Sequence, residues 1–537
     1  MVDNLTPNGE RKGTRITKAC DSCHRRGRRC RAQDDRTPCR TCIDAGIVCT
    51  RNRIPSKRGP KPRQHAQFGP IWALDPSKHG SRALLTTLIR SFFDFVYPIV
   101  NYVHEDSFMD QWTNGQLPNS PSSYALLMAM CALSAFRIKY GIEPSALDVS
   151  QNVDPDFYLD EALRTTQSTS PVPRDKESLQ ALGLLCMTAL EIGNGSLLQC
   201  QLGYYHAAIA DQNLYDERRW PPALSAIEKE EYRRLYWHLY RLEVHMALVM
   251  GHAIRCPEIQ SMVSYPSLAD QQDARSTTES EWLSGWNFVT DLYRGLEHVL
   301  TKFRLHGMPG YQSQRKGFLS TSFLLDFDLN ERILQPLTEA FENLPTRFKT
   351  APPLTSNVNA NRCGFQAANI VCTYQLVRMV CYTSNKATFH QACRTALDLI
   401  EQISSIPLEY LRAMSLAAVQ EISGFGHILS HFIGKELPMS DYQDLRDVIL
   451  CMAEFLESLH TDLPYAIRAS ARLRECVNRI SGLIDQSTAH TFPTSGPPVN
   501  FFGDSQAPEH SEMILDWRDD TPWLDEWLDS VASINHN

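Results

Sequence analysis

The first fifty residues contain six cysteines in a pattern that occurs twice. They are Cys20, Cys23, Cys30, Cys39, Cys42 and Cys49, with the spacing C-x2-C-x6-C-x8-C-x2-C-x6-C. A segment this short cannot bury a hydrophobic core of its own. Metal binding, worth on the order of 10 kcal/mol or more, is therefore expected to supply its folding free energy.

The number of cysteines predicts how many zinc ions the segment holds. Structural zinc is tetrahedral, so two ions need eight ligand contacts. Six thiolates make eight contacts only if two of them bridge, and Cys20 and Cys39, the first cysteine of each half, reach both ions most symmetrically. A disulfide-bonded segment is the alternative, but it needs a secreted context, and Met1-Val2-Asp3-Asn4 begins no signal peptide. The predicted cofactor is Zn²⁺, as two ions.

This segment resembles a known DNA-binding module. The residues that carry the resemblance are Ala19-Cys20-Asp21-Ser22-Cys23-His24-Arg25-Arg26 through Cys30, and Thr37-Pro38-Cys39-Arg40-Thr41-Cys42 through Cys49. They are similar to the fungal Zn(2)-Cys(6) binuclear cluster of galactose-regulator-type transcription factors. The resemblance implies a short Cys-led helix in each half, Cys20 and Cys39 as the bridging ligands, and double-stranded DNA with CGG-like triplets as the partner.

The two halves differ in charge, which predicts the half that contacts DNA. Residues 24–29 include four arginines, whereas residues 43–48 include no basic residue. The predicted DNA-contacting residues of the module are His24, Arg25, Arg26, Arg28, Arg29 and Arg40. Gly27 occupies the position four residues after the second cysteine, where the family has its base-reading lysine or arginine, so we expect Arg26 or Arg28 to contact guanine. The alternative is that all four arginines contact only the phosphate backbone.

The charge of the chain is divided unevenly along its length. Residues 1–63 carry a net charge of +11 and the remaining residues −19, within a total of −8. Such a basic end predicts nucleic-acid binding by that end. We divide it into a disordered basic tail (1–17), the zinc module (18–50) and a Pro-rich linker (51–80). In the linker, Lys57, Arg58 and Lys61 are expected to follow phosphates and to serve as a nuclear localisation signal. The predicted location is the nucleus.

Residues 81–486 show helical periodicity almost throughout, which predicts a large all-α domain. The predicted helical segments are Leu84–Val96, Ser122–Tyr140, Lys176–Ile192, Ser196–Leu214, Ile227–Met250, Glu281–Phe303, Ala367–Tyr382, Ala392–Ile403, Leu408–Ile433, Asp441–Leu459 and Leu463–Ile484. The longest apolar stretch, Tyr124–Phe136, is too short to span a bilayer, so no membrane partner is predicted. Prolines and glycines in 68–80 exclude a heptad repeat there, so a homodimer would form without an obvious coiled coil.

Two stretches of this domain resemble the fungal-specific middle homology region that accompanies the zinc cluster. They are Phe92–Val100, with His104–Phe108 following, and Glu230–Trp237, leading on to Gly251. The resemblance implies a regulatory domain and a small-molecule effector. Arg233 and Arg234 could clamp such a ligand, but a charged pair that ties neighbouring helices is the favoured interpretation.

The last 51 residues, 487–537, are predicted to be a flexible spacer followed by an acidic-aromatic activation segment. Nine acidic residues and three tryptophans lie between Asp504 and Asp529, and Thr521-Pro522 would begin a short helix. The residues predicted to contact a coactivator are Trp517, Trp523, Leu524, Trp527 and Leu528. The alternative is a terminal helix that docks on its own domain.

No sequence motif of an enzyme is found. The chain lacks G-x-G-x-x-G, G-x-S-x-G and H-E-x-x-H motifs and a P-loop, and an all-cysteine zinc site is typical of structural metal. We therefore predict a sequence-specific, zinc-dependent regulator of RNA polymerase II transcription that is mainly α, is not an enzyme, and activates a metabolic or biosynthetic gene set. A repressor of the same family is the alternative, ahead of a small-molecule-binding or enzymatic helical protein.

Overall fold

The computed structural model describes residues 19–31, 37–52, 72–139, 154–169, 172–267, 276–306, 329–382, 389–430, 432, 437–459 and 466–490. The chain divides into two compact units, residues 1–69 and 70–537. The small unit contains α1 (Asp21–Arg25) and α2 (Arg40–Ile43). Helices dominate the described part of the large unit, where one isolated bridge pairs Asp216 with Met262. The predicted fold class, mainly α with a small cysteine-rich unit, is confirmed. The finer domain boundaries stay predictions.

The described part of the large unit consists mainly of helices. In chain order they are α3 (Pro76–His79), α4 (Arg82–Ser91), α5 (Glu105–Thr113), α6 (Pro121–Lys139), α7 (Pro155–Thr169), α8 (Lys176–Glu191), α9 (Gly195–Gln212), α10 (Ala226–Met250), α11 (Ser276–His306), α12 (Leu329–Asn343), α13 (Val358–Tyr382), α14 (Phe389–Ser404), α15 (Leu408–Ser430), α16 (Met439–Ser458) and α17 (Ala466–His490). A π-helical turn, Phe92–Val96, continues α4.

Five described helices depart most from the predicted segments. α3, α5, α7 and α12 were not predicted, because α3 is a single turn, α5 and α7 have few apolar residues, and α12 contains Pro336 in its interior. α13 begins at Val358 and not at Ala367. Its first turns contain asparagines and a glycine, which have low helix propensity, but residues from Arg362 onward are buried. Tertiary burial therefore overrides propensity at the start of this helix.

The helix α6 lies inside the large unit, packed against α4, α7 and α8. Every residue from Ser123 to Arg137 is buried, so the helix has no solvent-facing side over that length. It is the one described helix that is long and apolar enough to cross a membrane, but 83% of its apolar window is buried within the unit. This burial is typical of a core helix enclosed by other helices.

A non-helical segment, residues 97–104, passes between several helices. Four of its carbonyl oxygens accept hydrogen bonds from side chains. The pairs are Gln366 Nε2 with Pro98, Trp286 Nε1 with Ile99, Arg234 with Asn101, and Gln180 Nε2 with Tyr102. The donors belong to α13, α11, α10 and α8. Because buried carbonyl groups need partners, these polar side chains hold the irregular segment within an apolar core.

The contact between α13 and α15 allows a stability test at Gly364. A Cβ atom at this position would lie 2.5 Å from the ring of Tyr410. We expect Gly364→Ala to destabilise the protein by about 1–3 kcal/mol, because the ring must shift in a packed core. The measurement is the chemical-denaturation midpoint followed by circular dichroism.

Gly203→Ala is the matched control. Gly203 is also inside a helix, but a Cβ there would meet no atom within 4 Å. This change is expected to leave stability unchanged or raise it by up to about 1 kcal/mol, since alanine is the better helix former. Equal midpoints for the two variants would contradict the close packing at Gly364.

Candidate metal centre and nucleic-acid interface

Four cysteine sulfurs of the small unit lie together. The sulfurs of Cys20, Cys23, Cys39 and Cys42 are all within 4.8 Å of one another, and all four residues are buried. The remaining two cysteines are close to the same group, because Cys30 Sγ accepts from the Cys20 amide at 3.5 Å and Cys49 Sγ from the Cys39 amide at 3.4 Å. All six predicted ligands therefore converge on one place.

The two halves have the same local backbone, offset by nineteen residues. A cysteine precedes each helix, and the helices end before Gly27 and Gly46, whose φ angles are +61° and +64°. The amide after each glycine donates to the carbonyl of the second cysteine of its half, at 3.0 and 3.1 Å. Only glycine adopts this left-handed conformation at no steric cost. The sequence repeat is therefore a structural repeat.

The spacing of the sulfurs fits zinc. Sulfurs placed tetrahedrally at about 2.3 Å from a zinc ion lie about 3.8 Å apart. Cys20 Sγ is 3.6 Å from Cys39 Sγ and 3.5 Å from Cys42 Sγ, and Cys39 Sγ is 3.6 Å from Cys23 Sγ. Cys20 and Cys39 thus each contact a cysteine of the opposite half, as the predicted bridging ligands must.

The protonation state of the buried cysteines explains why the sulfur cluster needs a cation to be ionised. Burial raises the pKa of Cys23 to about 12 and also raises the pKa of Cys42. Without metal, these thiols therefore keep their protons at neutral pH. A divalent cation deprotonates the thiols that coordinate it. Zinc, when bound, would supply the positive charge that keeps the sulfurs ionised.

Hydrogen bonds outside the cysteines join the two halves, and sequence analysis did not identify them. Asp21 Oδ2 accepts from Thr50 Oγ1 at 2.9 Å and from the Asn52 amide at 2.8 Å. Thr41 Oγ1 donates to the carbonyl oxygen of Arg29 at 3.1 Å. These side chains close the small unit across sequence separations of up to 31 residues. The one sequence feature that could have indicated a role for Asp21 is its place at the first helical position, where acidic residues are common.

The predicted DNA-contacting residues of the small unit are on its surface. His24 and Arg25 end α1, Arg26 caps it, Arg28 and Arg29 follow Gly27, and Arg40 begins α2; all six are exposed. The equivalent surface of the other half is apolar, with Ile43 and Val48 63% and 84% exposed. The positive charge is therefore concentrated on one half.

The remaining predicted residues lie outside the described part of the chain. These are Lys57, Arg58 and Lys61 of the linker, and Trp517, Trp523, Leu524, Trp527 and Leu528 of the acidic segment. Their assigned roles stay predictions.

Arg233 and Arg234 tie elements together within the large unit. Arg233 forms ion pairs with Glu217 and Glu230, and Arg234 donates to Tyr97 Oη at 3.3 Å. These contacts agree with the interpretation that the pair is structural. A ligand clamp would require free guanidinium groups, which these two residues do not offer.

Known proteins resemble both units. The pattern of the fungal Zn(2)-Cys(6) binuclear cluster domain matches residues 18–59, and that of the fungal specific transcription factor domain matches residues 89–344. A glucose transport transcription regulator RGT1 from Lachancea thermotolerans is 36% identical over 73 residues, which are 14% of this chain and 8% of that protein. Its namesake from Candida glabrata is 32% identical over 77 residues, 14% of this chain and 6% of that protein. The chain thus spans under a tenth of the length of these relatives. No solved structure matches it.

Substitution of one bridging cysteine tests the metal centre. In the full chain, Cys20→Ser is expected to lower the zinc content from two ions towards none, because both ions lose a ligand at once. Metal content per protein after desalting, measured by elemental analysis, provides the test. Cys200→Ser is the control, since Cys200 is an exposed cysteine of the large unit. A single zinc ion in the wild-type protein, or two ions in Cys20→Ser, would contradict the bridged arrangement.

Proposed function

Given that the chain belongs to the fungal Zn(2)-Cys(6) transcription factors and is a DNA-binding transcription regulator, we propose that it acts in the nucleus as a sequence-specific activator of RNA polymerase II transcription. The small unit binds DNA, the large unit regulates, and the acidic end recruits coactivators.

The observation that carries the proposal is the contrast between equivalent positions of the two halves. Arg25, Arg26, Arg28 and Arg29 correspond, nineteen residues on, to Asp44, Ala45, Ile47 and Val48. The backbone is the same in both halves, so the difference lies in the side chains alone. A concentrated basic surface on a metal-stabilised unit is what binding to the DNA backbone requires.

Arg26 and Arg28 are the proposed base-reading residues. Gly27, at the usual base-reading position, has no side chain and ends α1 with φ +61°. The arginines on either side of this turn are exposed, and neither is held in an ion pair among the described residues. Guanidinium groups reach O6 and N7 of guanine bidentately. We assign Arg25, Arg29 and Arg40, with His24, to phosphate contacts, together with Lys57, Arg58 and Lys61 of the linker.

The similar proteins support a proposal on which genes this protein regulates. Both are described as glucose transport transcription regulators, and the sequence of residues 57–61, KRGPK, resembles the linker of some fungal sugar-utilisation regulators. We therefore favour genes of sugar uptake, controlled by a small-molecule effector on the large unit. A homodimer would form through surfaces other than a coiled coil. Repression is the second candidate, since a DNA-bound protein can also block transcription.

The proposed base contacts make a quantitative prediction for DNA binding. Arg26→Ala or Arg28→Ala should relax the preference at one base pair by about 1–3 kcal/mol. Competition binding with single-base variants of the selected site measures this preference. Arg40→Ala is the control: it should weaken binding to all sequences alike and reduce the salt slope by about 1. If both Arg26→Ala and Arg28→Ala behave like Arg40→Ala, neither arginine reads a base.

The proposed activation segment is tested apart from the rest of the chain. Residues 487–537, fused to an unrelated DNA-binding domain, should raise reporter transcription, whereas 487–510, which lacks the tryptophans, should not. Replacing Trp523 and Trp527 by alanine in the longer fusion should abolish the increase, because one apolar helix face is lost. A silent reporter with the longer fusion would favour the repressor.

A further inference from the structure

Four arginines of the described residues are buried: Arg137, Arg234, Arg241 and Arg362. Three of them form ion pairs, with Glu191, Glu230 and Glu105 respectively. Among the described residues, no carboxylate pairs with Arg241, although its exposed fraction is only 5%. Buried charges are normally paired, because an unpaired one loses its hydration without compensation. Arg241 is therefore the exception among the buried arginines of the described ranges.

The contacts of Arg241 are long, and none of them is to a carboxylate of the described residues. It donates to the carbonyl oxygen of Trp286 at 3.4 Å and lies 3.5 Å from Nδ1 of His238, both long contacts. Its guanidinium carbon lies 3.9 Å from the ring centroid of Trp286, which holds the group by a cation–π interaction. A guanidinium has five N–H donors in a fixed plane. The group is thus held in place but incompletely paired.

The charge states around Arg241 favour an anion. Burial lowers the pKa of Arg241 to about 9, an effect that Tyr293 and Tyr265 partly oppose. The guanidinium consequently remains charged at neutral pH. Burial, with the adjacent Arg241 charge, holds the pKa of His238 well below its usual value, although an interaction with the Ile99 backbone opposes the shift, so that imidazole is neutral. Its Nε2 atom is buried without a hydrogen-bond partner among the described residues.

More loosely paired polar groups continue along the same face of α10. One turn beyond Arg241, His245 Nδ1 lies 3.4 Å from Tyr293 Oη, which also lies 3.4 Å from Glu421 Oε1. The second carboxylate oxygen of Glu421 is buried without a partner among the described residues. A core whose only task was packing would contain apolar side chains here. His245 is paired at its other nitrogen, with Gln420 Oε1 at 2.8 Å, so the unpaired atoms among the described residues of this region are His238 Nε2 on α10 and Glu421 Oε2 on α15.

We propose that Arg241 anchors a small-molecule site in the large unit, and that the ligand is a small organic molecule bearing one carboxylate. One guanidinium, centred 3.9 Å from the Trp286 ring and next to a neutral histidine, matches the charge and planar geometry of a single carboxylate. A phosphate dianion would need further cations. This proposal names the chemical class of the effector that the proposed function includes. The binding of the ligand does not depend on the proposed function, whereas its effect on transcription does.

The test uses the thermal unfolding of the full chain with lactate and with lactamide, its uncharged counterpart, at constant ionic strength. Lactate is expected to raise the midpoint saturably by about 1–3 °C, because a ligand that binds only the folded state stabilises it. Lactamide and inorganic phosphate should give no such rise. If lactate has no effect up to saturation of the assay, the unpaired groups bind water alone and the proposal fails. An equal effect of phosphate would contradict the carboxylate.

Arg241→Met separates a ligand site from a structural role. Because Arg241 has no ionic partner among the residues that the structure describes, removal of its charge should leave the midpoint without lactate unchanged or higher, while the lactate-dependent rise is lost. Arg137→Met is the matched control: it breaks the buried ion pair with Glu191, at 3.5 Å. The control should unfold at a lower temperature and keep the rise.

Arg241→Lys covers the case in which Arg241→Met does not fold. Lysine keeps the charge but not the planar fork, so the lactate concentration for half the rise should increase about tenfold. An unchanged rise in either Arg241 variant overturns the proposal. DNA binding, measured on the same samples, reports on the small unit, so a failure of this proposal is distinguishable from a failure of the proposed function.

Discussion

The binding of zinc by the clustered cysteine sulfurs is the interaction on which the small unit depends. Its buried cluster consists of cysteines, with only Ala19 and Ile47 packed against them among the described residues besides Cys49. Six thiolates and two divalent ions leave a net charge of about −2, close to a surface crowded with arginines. The same cluster therefore replaces a hydrophobic core and offsets the repulsion among the cations around it. A basic surface of this density would oppose folding in a unit of this size without such a centre.

The large unit, unlike the small one, has an apolar core, and this core contains polar side chains. The irregular segment 97–104 passes through an apolar interior, and side chains from four helices supply donors for its carbonyl groups. These donors must be placed within helices that are otherwise apolar. Gln366, Arg234 and Gln180 are thus buried polar residues whose presence follows from one stretch of backbone that is not helical. His238, Arg241 and Glu421 are not accounted for in this way, which is why they stand out.

The extent to which sequence predicted this structure differs between the two units. The spacing of the cysteines was sufficient to predict their convergence, because few arrangements satisfy a tetrahedral metal with ligands so close in sequence. Helical periodicity predicted the strongly apolar helices such as α6 and α8. It missed α12, where Pro336 interrupts the pattern, and the start of α13, whose helical state depends on burial by distant residues. The hydrogen bonds of Asp21 and the unpaired state of Arg241 depend on contacts far apart in sequence, and no local pattern encodes them.

The distribution of charge limits how this protein can recognise DNA. The chain after residue 63 carries a net charge of −19, against +11 before it. An acidic body is repelled by phosphates, so attraction depends on a few cations of the small unit and linker. Non-specific affinity grows with the number of phosphates contacted, so an acidic body would keep it low. Under the proposed function, base contacts would then determine occupancy, because specificity is the ratio of the specific to the non-specific affinity. Gly27 has no side chain, so the proposal assigns that discrimination to Arg26 and Arg28.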